Sequence, residues 1–207
     1  MTSSAETTPA AAAPLGRRER NKQQKLERIV AAAAELFAEH GVDEVTTQQI
    51  AERADIGTGT LFLYAKTKGE LLLLVQNAHY EEALARGRHE AESAATALDA
   101  VLAVLAPIAE CNRVQVENGR TYLREMAFGD PTEPHHAAAR AIAAETDSAM
   151  ADILVRRAGL AAADAATLAG IVSAVMFLTL ATSADPRTGV AEIVAAVRAQ
   201  VAAILPH

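Results

Sequence analysis

Thr58, Gly59 and Thr60, followed by Phe62 and Tyr64, are the residues of this 207-residue chain whose types and spacing suit work on a large polyanion. The hydroxyls of Thr58 and Thr60 can bond phosphate oxygens or base edges, and the Thr60 methyl can meet a thymine methyl. Gly59 removes a side chain where a helix N-terminus would approach a duplex. Phe62 is apolar on a short exposed helix, which fits contact with thymine methyls or sugars. Tyr64 and Lys68 can each hold a phosphate, Lys68 from a helix start whose backbone N–H groups help. Thr46 or Thr47 can do so from the other side of the groove. Arg17, Arg18, Arg20 and Lys22 lie where a first helix begins, within reach of the phosphate backbone or a minor groove. The competing reading is a structural αα-hairpin with ordinary surface threonines.

No comparable set suits catalysis. The chain lacks a nucleophile beside a base, a Gly-rich phosphate loop, and paired His/carboxylate ligands at helical spacing, so neither an enzyme nor a cofactor is expected. His135 and His136, near Asp130 and Glu133, invite a metal reading. Adjacent helical residues point roughly 100° apart, however. With Pro131 and Pro134 beside them, a solvated helix start is expected and no metal site. Cys111 is the single cysteine. It allows no disulfide within the chain, fits a reducing cytoplasm, and reads as a small buried apolar residue, with a redox sensor as the lesser alternative.

These residues need elements to position them, and the chain reads as all-α. Residues 1–16 are rich in Ala, Thr, Ser and Pro and are expected to form a disordered tail. Residues 17–66 read as a three-helix helix-turn-helix unit and residues 67–207 as a larger helical body, about nine helices in total. In the first helix, Arg17–His40, Leu26, Ile29, Val30, Ala33, Leu36 and Phe37 make one apolar stripe that Gly41 stops. Thr46 or Thr47 caps a second helix with Ile50, Ala51 and Ala54 inward. Residues 55–57 form the turn, and Thr58–Tyr64 the third helix, anchored by Leu61. Thr67 with Glu70 makes a capping box for a fourth helix running to about Glu92. Further helices are expected near residues 94–118, 120–128, 133–158, 162–183 and 188–205. Gly119, Gly129, Gly159 and Asp185-Pro186 mark the breaks, and Pro107 should kink or split its helix.

The net charge of −7 is unevenly placed. Nine Lys/Arg face nine Asp/Glu over Arg17–Val75, whereas ten face sixteen over Gln76–His207. Six cations fall between Arg17 and Arg28. Phosphate binding must therefore come from a local basic face of the N-terminal part. Ala165–Ala184 carries no charge, but its threonines and serines and the absence of a basic flank favour a helix buried all round over a membrane span.

The run IVAAAAELFAEHGVDEVTTQQIAERADI followed by GTGTLFLYAKTKGELL resembles the TetR family of transcriptional regulators. Leu36-Phe37, Gly41, Thr46 or Thr47, Ile50-Ala51, Gly59-Thr60-Leu61, Tyr64, Lys68 and Leu71 all fit, over roughly a quarter of the chain. The resemblance implies a homodimer on a palindromic DNA operator, usually repressing, released when a small molecule in the body moves the two heads apart. It places Thr46, Thr58, Thr60, Phe62, Tyr64 and Lys68 at DNA-contacting positions. This chain departs from the pattern at Asp55, where Gly is common, at Gly57 for Ser/Thr, at Phe62 for Tyr, and at Ala65 for a large aromatic.

In the body, the helix from Ala162 is expected to turn Leu168, Ile171, Val172, Val175, Leu178 and Thr179 to the core. Its other side, Ala166, Gly170, Ala174, Phe177 and Ala181, is then left for a second subunit. Val190, Ile193, Val194, Val197 and Val201 of the last helix join this dimer face, which the resemblance also places at these two helices. The competing reading is a monomer core. Leu105, Ile108, Cys111, Tyr122, Met126, Phe128, Met150, Met176 and Phe177 are candidate effector-lining residues, and an apolar or weakly polar effector is expected. A helical carrier or enzyme without DNA binding, or an activator, is the alternative function.

Overall fold

The computed structural model describes residues 16–205, which contain nine α-helices and no strand. The expected tail lies outside the described residues except for Gly16, the N-cap of α1. The head is α1 (Arg17–His40), α2 (Thr47–Arg53) and α3 (Thr58–Leu61). The body is α4 (Lys68–Glu92), α5 (Ala97–Arg113), α6 (Val116–Phe128), α7 (Pro134–Ala158), α8 (Ala162–Thr182) and α9 (Val190–Ala202).

Local signals set the head. The α1 stripe buries Ile29, Ala33, Leu36 and Phe37, and Gly41 ends the helix at φ +76°, a conformation open to glycine. Thr46 caps α2 in a reciprocal box with Gln49: its Oγ accepts from the Gln49 N–H at 3.2 Å, while Gln49 Oε1 accepts from the Thr46 N–H at 2.8 Å. Leu61 anchors α3 with no exposed surface. The helix is shorter than expected: beyond Leu61 the chain tightens into i→i−3 bonds from Leu63 to Thr60 and from Tyr64 to Leu61.

Asp55 occupies the turn at φ +54°, the left-handed region where the family pattern has glycine. Its carboxylate meets Arg28 at 3.2 Å, but both side chains are largely exposed and the pair adds little. Asp55→Gly should therefore raise stability by about 0.5 kcal/mol, the relieved strain less the greater chain entropy of glycine. A fall in the thermal midpoint would show that the Arg28 pair outweighs the strain.

Tertiary contacts overrule several local expectations in the body. α5 runs unbroken through Pro107, which is buried. Its Ala103 and Val104 carbonyls lie against Gly87 of α4, where a Cβ would sit within 2.9 Å of them, so the two helices cross without intervening side chains. Gly119 does not end a helix. It lies inside α6, pressed against the backbone of Asn112. Thr67 caps α4, but Glu70 reaches past the N-cap to accept from the Lys66 N–H at 2.6 Å and is itself buried.

Two apolar clusters result. One lies within the body, between α4, α5, α7, α8 and α9. The other fills the head and continues through Leu71, Leu72 and Leu73 to Tyr80, Tyr122, Ala139 and Ile142, so the head core does not stop at residue 66. α8 is long and apolar enough to cross a membrane, yet only 28% of its most apolar stretch is buried. It is not buried all round. Ala165, Ala169, Val172, Met176 and Leu180 face inward, while Ile171 and Leu178, expected inside, are exposed.

Candidate nucleic-acid interface and body cavity

The head presents α3 outward. Thr58 and Thr60 are half-buried, Gly59 is exposed, and Phe62 and Leu63 are 44% and 83% exposed. A Cβ on Gly59 would meet nothing, so this glycine solves no packing problem within the chain. Leu63, which sequence reasoning passed over, is the most exposed apolar side chain of the segment. Its signal was present as a third apolar residue in a row, more than one buried anchor needs. Thr46 and Thr47 open α2, with the Thr46 hydroxyl occupied by its capping box. Lys68 Nζ donates to the Asp43 carbonyl at 2.9 Å, bringing the α4 start against the loop before α2. Tyr64 Oη donates to the Lys22 carbonyl at 3.3 Å, tying the end of the α3 segment to α1. Arg17, Arg18 and Arg20 are exposed on the first turns of α1.

The head is bolted to the body at two places. At the end of α1, the buried Asn118 of α6 donates to the Phe37 carbonyl at 2.8 Å and accepts from the Val42 N–H at 2.7 Å. Beyond α3, His135 Nε2 donates to the Tyr64 carbonyl at 2.9 Å, and Lys66 pairs with Glu133. The two histidines of α7 make separate contacts: His135 is half-buried, and His136 is not solvated as expected. His136 is buried, with Nε2 3.1 Å from Glu125 and Nδ1 3.8 Å from Glu70. A Cβ on Gly129 would overlap its ring, so the close turn after α6 makes the seat. Among the described residues no group of three His, Cys, Asp or Glu is arranged to hold a metal ion.

Inside the body, Leu105, Ile108, Tyr122, Met126, Met176 and Phe177 come together around one cavity, with Tyr80, Ile142, Thr146, Ser173 and Leu180 completing its wall. It offers about 90 Å³ to the centre of a water-sized sphere, several times what one water needs. Its hydroxyls are already engaged: Thr146 donates to the Ile142 carbonyl at 2.9 Å and Ser173 to Asp147. Tyr80 and Tyr122 stack at 4.0 Å between centroids and 14° between planes. Burial raises both phenol pKa values, so both remain neutral donors or acceptors. Among the described residues, no charged side chain lines the cavity.

Three other candidates lie elsewhere. Met150 is fully buried in the body core, and Phe128 is 80% exposed at the end of α6. Cys111 lines a separate open cleft with Phe37, Val75, Gln76, His79 and Gln115. Its thiol is pushed up to about 11, chiefly by burial, and stays protonated and inert at neutral pH. Of the expected dimer face, Ala166, Gly170 and Ala174 are exposed and Phe177, Ala181, Val190 and Val194 half-buried. Ile193, Val197 and Val201 are corrected: they are buried within the chain, where α9 packs on α5 and α8, and offer no surface to a second copy.

The family described as bacterial regulatory proteins, tetR family, matches residues 29–75. The fatty acid metabolism regulator protein of Bacillus subtilis (strain 168) is 28% identical over 86 residues, or 42% of this chain, and the matched stretch spans only 44% of that relative. A TetR transcriptional regulator from Rhodococcus sp. RHA1 superposes with a TM-score of 0.64 at 19% identity, covering 89% of this chain and 97% of that one. FadR of Thermus thermophilus, a TetR family repressor in complex with lauroyl-CoA, does so with 0.66 at 22%, covering 88% and 96%. The structural likeness gives the fold across nearly the whole chain, and the matched head carries the family's residues at α1–α4. Residues 29–75 thus match the TetR family of bacterial regulatory proteins, on a fold shared with solved TetR regulators.

Proposed function

We propose that the protein is a homodimeric, effector-responsive repressor that reads a palindromic duplex with α3 and acts in the cytoplasm. The observation that carries this reading is the outward tip of the head. Gly59 stands open, Phe62 and Leu63 project beside it, and the exposed cations of α1 lie in the same small domain. An apolar tip beside a basic strip suits base edges below phosphate ridges and suits no solvated surface. Thr58 and Thr60 supply short hydroxyls, and Lys68 and Tyr64 are in place to exchange backbone carbonyls for phosphates.

The outer face of α8 supports the dimer. Ala166, Gly170 and Ala174 permit close helix approach, and Ile171 and Leu178 are apolar surface to bury. Two α3 helices should then stand roughly 34–36 Å apart. The cavity supports an effector whose buried part is uncharged, because its wall offers only apolar surface and hydroxyls already bonded. The Thermus neighbour bound to lauroyl-CoA shows that this fold can take an acyl thioester. Here any charged headgroup would have to stay at the mouth.

Selection of bound duplexes from random DNA at a fixed salt concentration tests the reading and should return an inverted repeat. Gly59→Glu, which fits the free chain, should weaken binding to that repeat roughly a hundredfold, the effect of a like charge placed against phosphates. Its thermal midpoint should not fall. Recovery of no sequence, or full binding by Gly59→Glu, would overturn the assignment of α3.

A further inference from the structure

An unbroken polar thread crosses the apolar joint between cavity and head. Tyr122 Oη, in the cavity wall on α6, donates to Asn77 Oδ1 of α4 at 3.0 Å. Asn77 Nδ2 donates to the His135 carbonyl of α7 at 3.1 Å. His135 Nε2 donates to the Tyr64 carbonyl, just past α3, at 2.9 Å. Tyr122 and Asn77 are buried, and Tyr122 belongs to the apolar cluster that joins head and body. Packing alone would be served by Phe and Leu at these positions, since buried polar atoms are favourable only when paired. What a fully paired buried network adds is a unique geometry, in which each bond orients the next group. Asn77 shows this directly: with Oδ1 taken by Tyr122, its amide can face His135 in only one orientation.

We infer that Tyr122, Asn77 and His135 transmit the occupancy of the cavity to the DNA-reading helix. The inference rests on the proposal that the cavity admits an effector. An occupant that slides the Tyr122 ring off Tyr80 withdraws the hydroxyl from Asn77, frees the amide to turn, and releases the α7 start from its register with α4. His135 rides on that first turn and holds the backbone at Tyr64. The angle at which Thr58–Leu61 leaves the head changes with it. Asn118 sits one helical turn before Tyr122 on α6, but its side chain bonds Phe37 and Val42 at the end of α1, so it fixes the head and does not lie on this route.

The test uses full-length protein, the duplex recovered by selection, and octanol as the cavity probe. Octanol should weaken DNA binding by wild type roughly tenfold, within the usual range of allosteric coupling. Tyr122→Phe and His135→Phe should each respond by less than about twofold while octanol still raises their thermal midpoints. His135→Gln, whose amide can donate to the same carbonyl, should recover part of the response. The double variant should behave like either single one. If the single variants respond like wild type, the thread is not the route, and the effector reading stands. If octanol stabilises wild type without altering DNA binding, the effector reading fails and takes the thread with it. A ligand-free measurement decides the matter if octanol does not bind. Tyr122→Phe should speed amide exchange around Tyr64, and unchanged exchange there would overturn the thread.

Discussion

Gly119→Val is expected to lower the thermal midpoint by roughly 6–12 °C. A Cβ at this position would lie 2.1 Å from the Asn112 backbone carbonyl and 2.8 Å from its side chain. A flexible side chain could swing away from such a contact, but a backbone carbonyl cannot. α5 ends at Arg113 and α6 begins at Val116, so the connection is too short to let the two helices part. Overpacking of this kind costs about 3 kcal/mol or more, and each kcal/mol moves the midpoint of a chain this size by roughly 2–4 °C. Gly170→Ala is the control. Its Cβ meets nothing within the chain, so in a lone chain the helix would gain about 1 kcal/mol. A loss at Gly170 would instead report a second helix lying against α8.

Asn118→Leu should cost about 3 kcal/mol and loosen the head. Leucine fills the space but leaves the Val42 N–H buried and unpaired, since Val42 is 1% exposed. The Phe37 carbonyl keeps its bond from Gly41 at 3.0 Å but loses the one from Asn118. An unpaired buried donor costs about 1–3 kcal/mol, and the lost bond to Phe37 adds about 1 kcal/mol. Thermal unfolding gives the total. Faster hydrogen exchange at Val42, with body amides unchanged, would place the damage at the joint. Uniform change across the chain would show that the clamp has no local role.

The head was legible because its instructions are local. The threonine cap of α2, the stop at Gly41 and the single inward anchor Leu61 each act within a few residues. The errors arose where distant backbone decides. Gly119 looks like punctuation until α5 is seen to press on it, and Pro107 looks like a break until Gly87 is seen against the same turn. Glu70 and His136 look like surface residues until they are found facing one another inside. The inward side of α8 was read only in part, with Val172 inside as expected but Ile171 and Leu178 outside, because a helix apolar on every side gives periodicity little contrast. The lining of the cavity was partly legible, but core and cavity draw on the same residue types. Nothing in the sequence separates Met176 in the wall from Met150 behind it. The thread from Tyr122 to Tyr64 joins four segments far apart in the chain and left no sequence signal.

The chain has no tryptophan and three tyrosines. Two of them, Tyr80 and Tyr122, are the stacked pair at the cavity, and the third, Tyr64, stands where the thread ends. All of the protein's strong near-ultraviolet emission therefore originates along this one line. Opening the stacked pair changes the signal without any label, and Tyr64→Phe strips out the background from the far end. The molecule carries its own optical gauge of whether the interior is filled.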